Sequence, residues 1–83
     1  MIDVKAAYSI VKQNNPNMQA LSCSELKNEY VFGLIPDGLK PDDGYVDSIV
    51  HFVEKKTGKY YWRHFSVMVE KQVVRKIDVS MLD

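Results

Sequence analysis

Between Ser48 and Phe65 the chain places an apolar run, Ile49-Val50-His51-Phe52-Val53, before Lys55-Lys56-Thr57-Gly58 and an aromatic return, Tyr60-Tyr61-Trp62, after it. Strand-forming side chains on both sides of a short turn segment specify a β-hairpin, and the late glycine supplies the left-handed backbone that such turns need. A type I turn with Gly58 left-handed predicts Lys55 opposite Lys59, and with it Val53 opposite Tyr61, Phe52 opposite Trp62 and Val50 opposite His64. Ile49, Val53, Tyr61 and Phe65 then share one face, and Val50, Phe52, Tyr60 and Trp62 the other. A hairpin so bulky on both sides demands cover on both.

The rest of the chain is read around that unit. Val4, Ala7, Tyr8 and Val11 recur at helical spacing over residues 3–14, with Asp3 as N-cap and Asn14-Asn15-Pro16 as a left-handed end. Met18 to Pro36 reads as a first hairpin turning at Lys27-Asn28, with positive φ at Asn28; it sets Glu25 against Tyr30, Cys23 against Phe32 and Leu21 against Leu34 on a buried face. Ala20, Ser22, Ser24, Val31, Gly33 and Ile35 form the other, smaller face. Residues 36–47 are a long surface connection with two Pro-Asp turns. From Ser66 the tail supports two readings, a Ser66-capped helix with Val69, Val73 and Ile77 at i+4 spacing, or a strand carried by its β-branched residues. The helix is preferred, because a strand continued from Lys59 would far exceed the usual length. With 83 residues, 46% hydrophobic and 27% charged, the chain is expected to form a single α+β domain: an N-terminal helix on an antiparallel sheet of about four strands, with a C-terminal helical segment.

The order helix then sheet, with Val53-Glu54-Lys55-Lys56-Thr57-Gly58-Lys59-Tyr60 as its last hairpin, resembles the bacterial PepSY domain and small immunity-protein-like families of toxin and phage-associated loci, over residues 3–62. The resemblance implies a protein-binding role. PepSY domains are typically exported or membrane-attached and bind or inhibit proteases, whereas Met1-Ile2-Asp3-Val4-Lys5 does not open a secretory signal. The cytoplasmic, immunity-like side of the resemblance is therefore favoured, and neither group brings a catalytic motif to match.

Enzymatic chemistry needs convergent groups, and the sequence offers few. His51 and His64 fall on opposite faces in the expected register, so they do not share a metal. Cys23, the lone cysteine, lies among apolar residues that suit an inert thiol. Asp37, Asp42, Asp43 and Asp47 lack EF-hand spacing and are explained by turns. No enzyme activity, metal or cofactor is expected, and no run of about 20 apolar residues marks a membrane span. The formal charge is zero, yet residues 1–47 carry four basic and seven acidic side chains and residues 48–83 seven and four. The basic half makes Lys55, Lys56 and Lys59 a candidate anion-binding group, and with nearby aromatics a candidate single-stranded nucleic-acid surface. The leading expectation is a non-enzymatic module that binds a protein, or a second copy of itself, through Tyr60, Tyr61, Trp62 and Arg63, residue types that dominate binding hot spots.

Overall fold

The computed structural model describes residues 1–44 and 48–82. Helix α1 (Val4–Asn14) begins where the Asp3 side chain accepts from the Ala6 amide at 2.8 Å. It ends without the expected left-handed residue, since no non-glycine residue described has positive φ. Instead, the side-chain amides of Asn14 and Asn15 donate to the carbonyls of Ile10 and Val11, each at 2.9 Å. The Val11 carbonyl, which loses its helical partner because the Asn15 amide donates to Lys12 instead, is thereby satisfied from the side.

Strands β1 (Met18–Glu25), β2 (Glu29–Pro36), β3 (Ile49–Glu54), β4 (Tyr60–His64) and β5 (Arg75–Ile77) form one antiparallel sheet in the order β4-β3-β2-β1-β5, and a short helix α2 (Val67–Lys71) follows β4. The fold is α+β, with five strands where about four were expected. The extra strand comes from the tail, to which neither uniform reading applies. Ser66 caps α2 as anticipated, accepting from the Met68 amide at 3.2 Å, but the helix stops after five residues. Val74 then donates to the Glu25 carbonyl at 2.8 Å, and Arg75–Ile77 pairs with Cys23–Glu25. The tail therefore serves both sides of the sheet. Val69 and Val73 pack on one face with Leu26, Val31 and Phe52, while Ile77 packs with the other, beneath α1.

The first hairpin has the expected register at Glu25–Tyr30 and Cys23–Phe32, but Asn28 turns without positive φ. A bulge then makes Leu21 an extra residue, so Ala20 rather than Leu21 pairs with Leu34. Gly33 lies where Ser22 crosses it: a Cβ there would meet Ser22 Oγ at 2.5 Å. The space over this glycine is taken by a neighbouring strand's own side chain. In the connection after β2, Gly38 and Gly44 are left-handed and Asp43 accepts from the Lys40 amide at 2.8 Å, so the acidic residues there build turns; Asp47 lies outside the described residues.

The second hairpin departs from expectation by one residue. Gly58 is left-handed at φ 75°, but its amide donates to the Glu54 carbonyl and the Glu54 amide to the Lys59 carbonyl, both at 2.9 Å. The loop thus holds the whole of Lys55-Lys56-Thr57-Gly58, and Lys55 does not face Lys59. Pairing becomes Val53–Tyr60, Phe52–Tyr61, His51–Trp62, Val50–Arg63 and Ile49–His64. Because strand side chains alternate, this single step moves every β4 residue to the opposite face. Tyr60 and Trp62 now join Ile49, His51 and Val53 on the α1 side; Tyr61 and Arg63 join Val50 and Phe52 on the α2 side.

No helix among the described residues is long and apolar enough to cross a membrane. Phe32 is fully enclosed beneath α1, its ring 5.8 Å from that of Tyr8. Phe32→Ala is expected to cost about 3–5 kcal/mol, and Gly58→Ala, which forces an L side chain into the left-handed region, about 1–2 kcal/mol. Equilibrium denaturant unfolding checks both; equal costs would contradict this account of the core and the turn.

Candidate functional site

Strand β4 has no neighbour on its outer side among the described residues. Its ladder with β3 is bracketed by the Phe65 amide donating to the Ser48 carbonyl at 2.7 Å and the Glu54 amide donating to the Lys59 carbonyl at 2.9 Å. Antiparallel hydrogen-bonded pairs recur at every second residue, so Tyr61 and Arg63 direct their backbone groups to β3 while Tyr60, Trp62 and His64 direct theirs outward. This edge continues into a run of solvent-facing apolar side chains: Trp62 is 54% exposed, Phe65 53%, Val67 63% and Met68 60%. Such concentration along one short stretch differs from singly scattered surface hydrophobes.

The four residues singled out for contact do not share one surface. Tyr60 is half-buried, and its hydroxyl lies 2.8 Å from His51 Nδ1 and 3.1 Å from Asn15 Nδ2, which joins β4 to β3 and to the end of α1. Tyr61 stacks on Phe52 with centroids 4.9 Å apart and planes 3° from parallel, and the Arg63 guanidinium lies 5.2 Å above its outer side. Trp62 is open, with the His64 ring edge-on at 5.9 Å. Trp62 and Arg63 therefore present themselves from opposite faces of a single strand, with Tyr60 and Tyr61 as their supports. Phe65, Val67 and Met68 were missed as surface groups because Phe65 was expected on a covered hairpin face and the helical reading of the tail rested on Val69, Val73 and Ile77 alone.

His51 and His64 lie on the same face, contrary to expectation, as a consequence of the one-residue shift. His51 is buried and His64 exposed. Among the described residues no three His, Cys, Asp or Glu side chains converge to hold a metal ion. Cys23 is enclosed by the sheet and α1, and burial pushes its thiol up to about 11. At neutral pH it is protonated and unreactive.

The anion-binding trio is also divided. Lys55 Nζ contacts Glu25 Oε2 at 2.6 Å, donates to the Lys27 carbonyl at 3.3 Å and lies 5.2 Å from the Tyr30 ring centre. It is an internal cation, leaving Lys56 and Lys59 exposed. Arg75 Nη2 reaches Glu25 Oε1 at 2.9 Å from the other side. One carboxylate of the acidic half thus holds two cations of the basic half. The Lys55 hydrogen bond, aided by Arg75, lowers the Glu25 pKa. Glu29 is the counterexample: it sits directly opposite Glu54, and desolvation, then the Glu54 charge, raises its pKa.

No family model matches this chain, and no curated protein or solved structure matches it either.

The two glutamates are expected to oppose one another in acid. A lowered folded pKa means that Glu25 contributes stability above its ordinary value near 4.5, lost as pH falls through the folded value; for Glu29, protonation instead relieves a penalty that is full at neutral pH. Glu25→Gln is expected to lower stability at pH 7 by about 1–3 kcal/mol and flatten the acid limb. Glu29→Gln is expected to raise it by about 0.2–1 kcal/mol through removal of the cross-strand repulsion. Thermal unfolding between pH 3 and 7 checks both signs.

Proposed function

We propose that this protein is a non-enzymatic binding module that recognises another protein along the β4 edge, with Trp62 and Arg63 as the principal contacts. The observation that carries the reading is the coincidence of outward backbone groups at Tyr60, Trp62 and His64 with exposed apolar side chains at Trp62, Phe65, Val67 and Met68. An extended partner segment docking there would gain main-chain hydrogen bonds from the edge and apolar burial from its flanks, the physics of strand addition. The sheet's other edge offers little of this: β5 is three residues long and carries Arg75 and Lys76. Short, charged edges resist pairing, and β4 has neither a proline nor a bulge.

An immunity or regulatory protein, of the kind that the resemblance to PepSY-like and immunity-like domains implies, fits this reading, since both act by occupying another protein's surface. The reduced, enclosed Cys23 suits a cytoplasmic setting. Single-stranded nucleic acid is the weaker reading. Its stacking platform would need Tyr60, Tyr61 and Trp62 on one side, and they alternate, while Lys55 is already engaged by Glu25.

Affinity capture from the native cell tests the proposal. Trp62→Ala and Arg63→Ala are each expected to weaken retention of the same bound protein by about 2 kcal/mol, roughly thirtyfold in Kd, with circular dichroism unchanged. Tyr61→Ala is a poorer probe, because it also removes the Phe52 stack. Capture indifferent to both variants would overturn the assignment. A labelled oligonucleotide is expected not to bind even at low salt; affinity that collapses as salt is added would move the function to nucleic acid.

A further inference from the structure

We infer that the occupant of the β4 edge is a second copy of this chain, paired antiparallel about a two-fold axis through Trp62; the inference rests on the reading of that edge as a protein-docking surface. An isologous pair of antiparallel strands places the axis normal to the sheet, so like faces join like faces and the two sheets become one. Three symmetric registers overlap β4 substantially, centred on Tyr61, Trp62 or Arg63. Charge separates them. Centring on Arg63 sets two guanidiniums directly opposite, and centring on Tyr61 sets Lys59 against Arg63 twice. Like charges directly opposed across strands are destabilising.

Centring on Trp62 opposes no like charges. Arg63 of each copy falls beside Tyr61 of the other, repeating between chains the guanidinium-over-ring contact already made within one at 5.2 Å. Tyr60 meets His64, and Lys59 meets Phe65. The outward backbone groups also favour this register. Tyr60, Trp62 and His64 of one copy stand opposite His64, Trp62 and Tyr60 of the other, and each pair exchanges both of its hydrogen bonds. Every outward group of β4 is then matched. The two Trp62 rings, 54% exposed in the single chain, lie side by side and cover one another. Helix α1 is seated over β2 and β3, so neither copy's helix obstructs the approach.

Light scattering and sedimentation equilibrium are expected to give twice the 9.6 kDa chain mass. His64→Pro is expected to return the single-chain mass with circular dichroism unchanged. It removes an outward donor, makes no demand on the β3 ladder and follows a residue already extended. Trp62→Cys is expected to form a covalent dimer on mild oxidation, because opposed Cα atoms about 5.5 Å apart lie within disulfide reach; His64→Cys, which faces Tyr60, is expected not to. This second arm needs no proline variant to fold. A single-chain mass for the unaltered protein at millimolar concentration, a dimer that survives His64→Pro, or equal cross-linking of the two cysteine variants would overturn the pairing. A single chain that still captures a foreign protein through Trp62 overturns the self-pairing alone and leaves the docking surface standing. A dimer dissolved by His64→Pro that retains no other protein supports the self-pairing and removes the foreign partner.

Discussion

Strand β2 is the member on which the others depend, because it is covered on both faces and paired along both edges. Its sequence, Glu-Tyr-Val-Phe-Gly-Leu-Ile-Pro, is almost continuously apolar, as a strand buried from two sides must be. Among the described residues, Phe32, Leu34 and Ile35 stand with Val11 and Val53 as the bulkiest fully enclosed side chains. Tyr30, Phe32 and Leu34 fill the space beneath α1, while Val31 lies beneath Val69 and Val73. The two covers are unequal. Helix α1 spans eleven residues with caps at both ends, whereas α2 has five residues, none of them buried. The second layer is therefore held by a few valines, and its remaining apolar residues, Val67 and Met68, face outward.

Glu25 ties this layered arrangement together at one end. It sits at the end of β1, receives Lys55 from the second hairpin's loop and Arg75 from the last strand, and so joins segments fifty residues apart in the chain. Lys55 is the more consequential partner, because it is largely shielded from water and its attraction is less screened than that of the exposed Arg75. The electrical division of the sequence into an acidic first half and a basic second half is in this way partly neutralised inside the fold. A long-range field drawing in an anion is weakened by the same contact.

Local patterns were legible where one residue's chemistry decides a local geometry. Asp3 capped α1, Ser66 capped α2, Gly58 took the left-handed position and Cys23 was enclosed. What escaped was counting. The Lys-Lys-Thr-Gly segment accommodates a loop of three or four residues with the same glycine conformation, and the hydrogen bonds from Gly58 to Glu54 and from Glu54 to Lys59 distinguish them. That one residue reversed the faces of Tyr60, Tyr61, Trp62 and Arg63 and brought the two histidines to the same side. The bulge at Leu21 is a similar case: nothing in Leu21 itself marks it, yet it brings Ala20 opposite Leu34 and into the cluster beneath α1. The tail failed differently. Val69, Val73 and Ile77 have helical spacing, but the free β1 edge offers Arg75–Ile77 backbone partners that a longer surface helix does not supply.

The same shift that undid the sequence register is what suits β4 to the recognition proposed for it. Had Trp62 fallen on the α2 side, opposite Phe52, its ring would have been drawn into the smaller apolar cluster. It lies instead two residues beyond Tyr60, whose hydroxyl is held by His51 and Asn15. Tyr61, on the reverse face, is fixed by the Phe52 stack. Both neighbours of Trp62 on the N-terminal side are thus anchored internally, so the strand that carries it is ordered before any partner arrives. Ordering a flexible contact segment subtracts from binding free energy, whereas an edge already set by half-buried, internally anchored neighbours loses little on association. An exposed indole on a mobile loop would be an aggregation hazard with weak selectivity. On this strand, its position is set by contacts in the core, and the shape it presents is fixed by the fold.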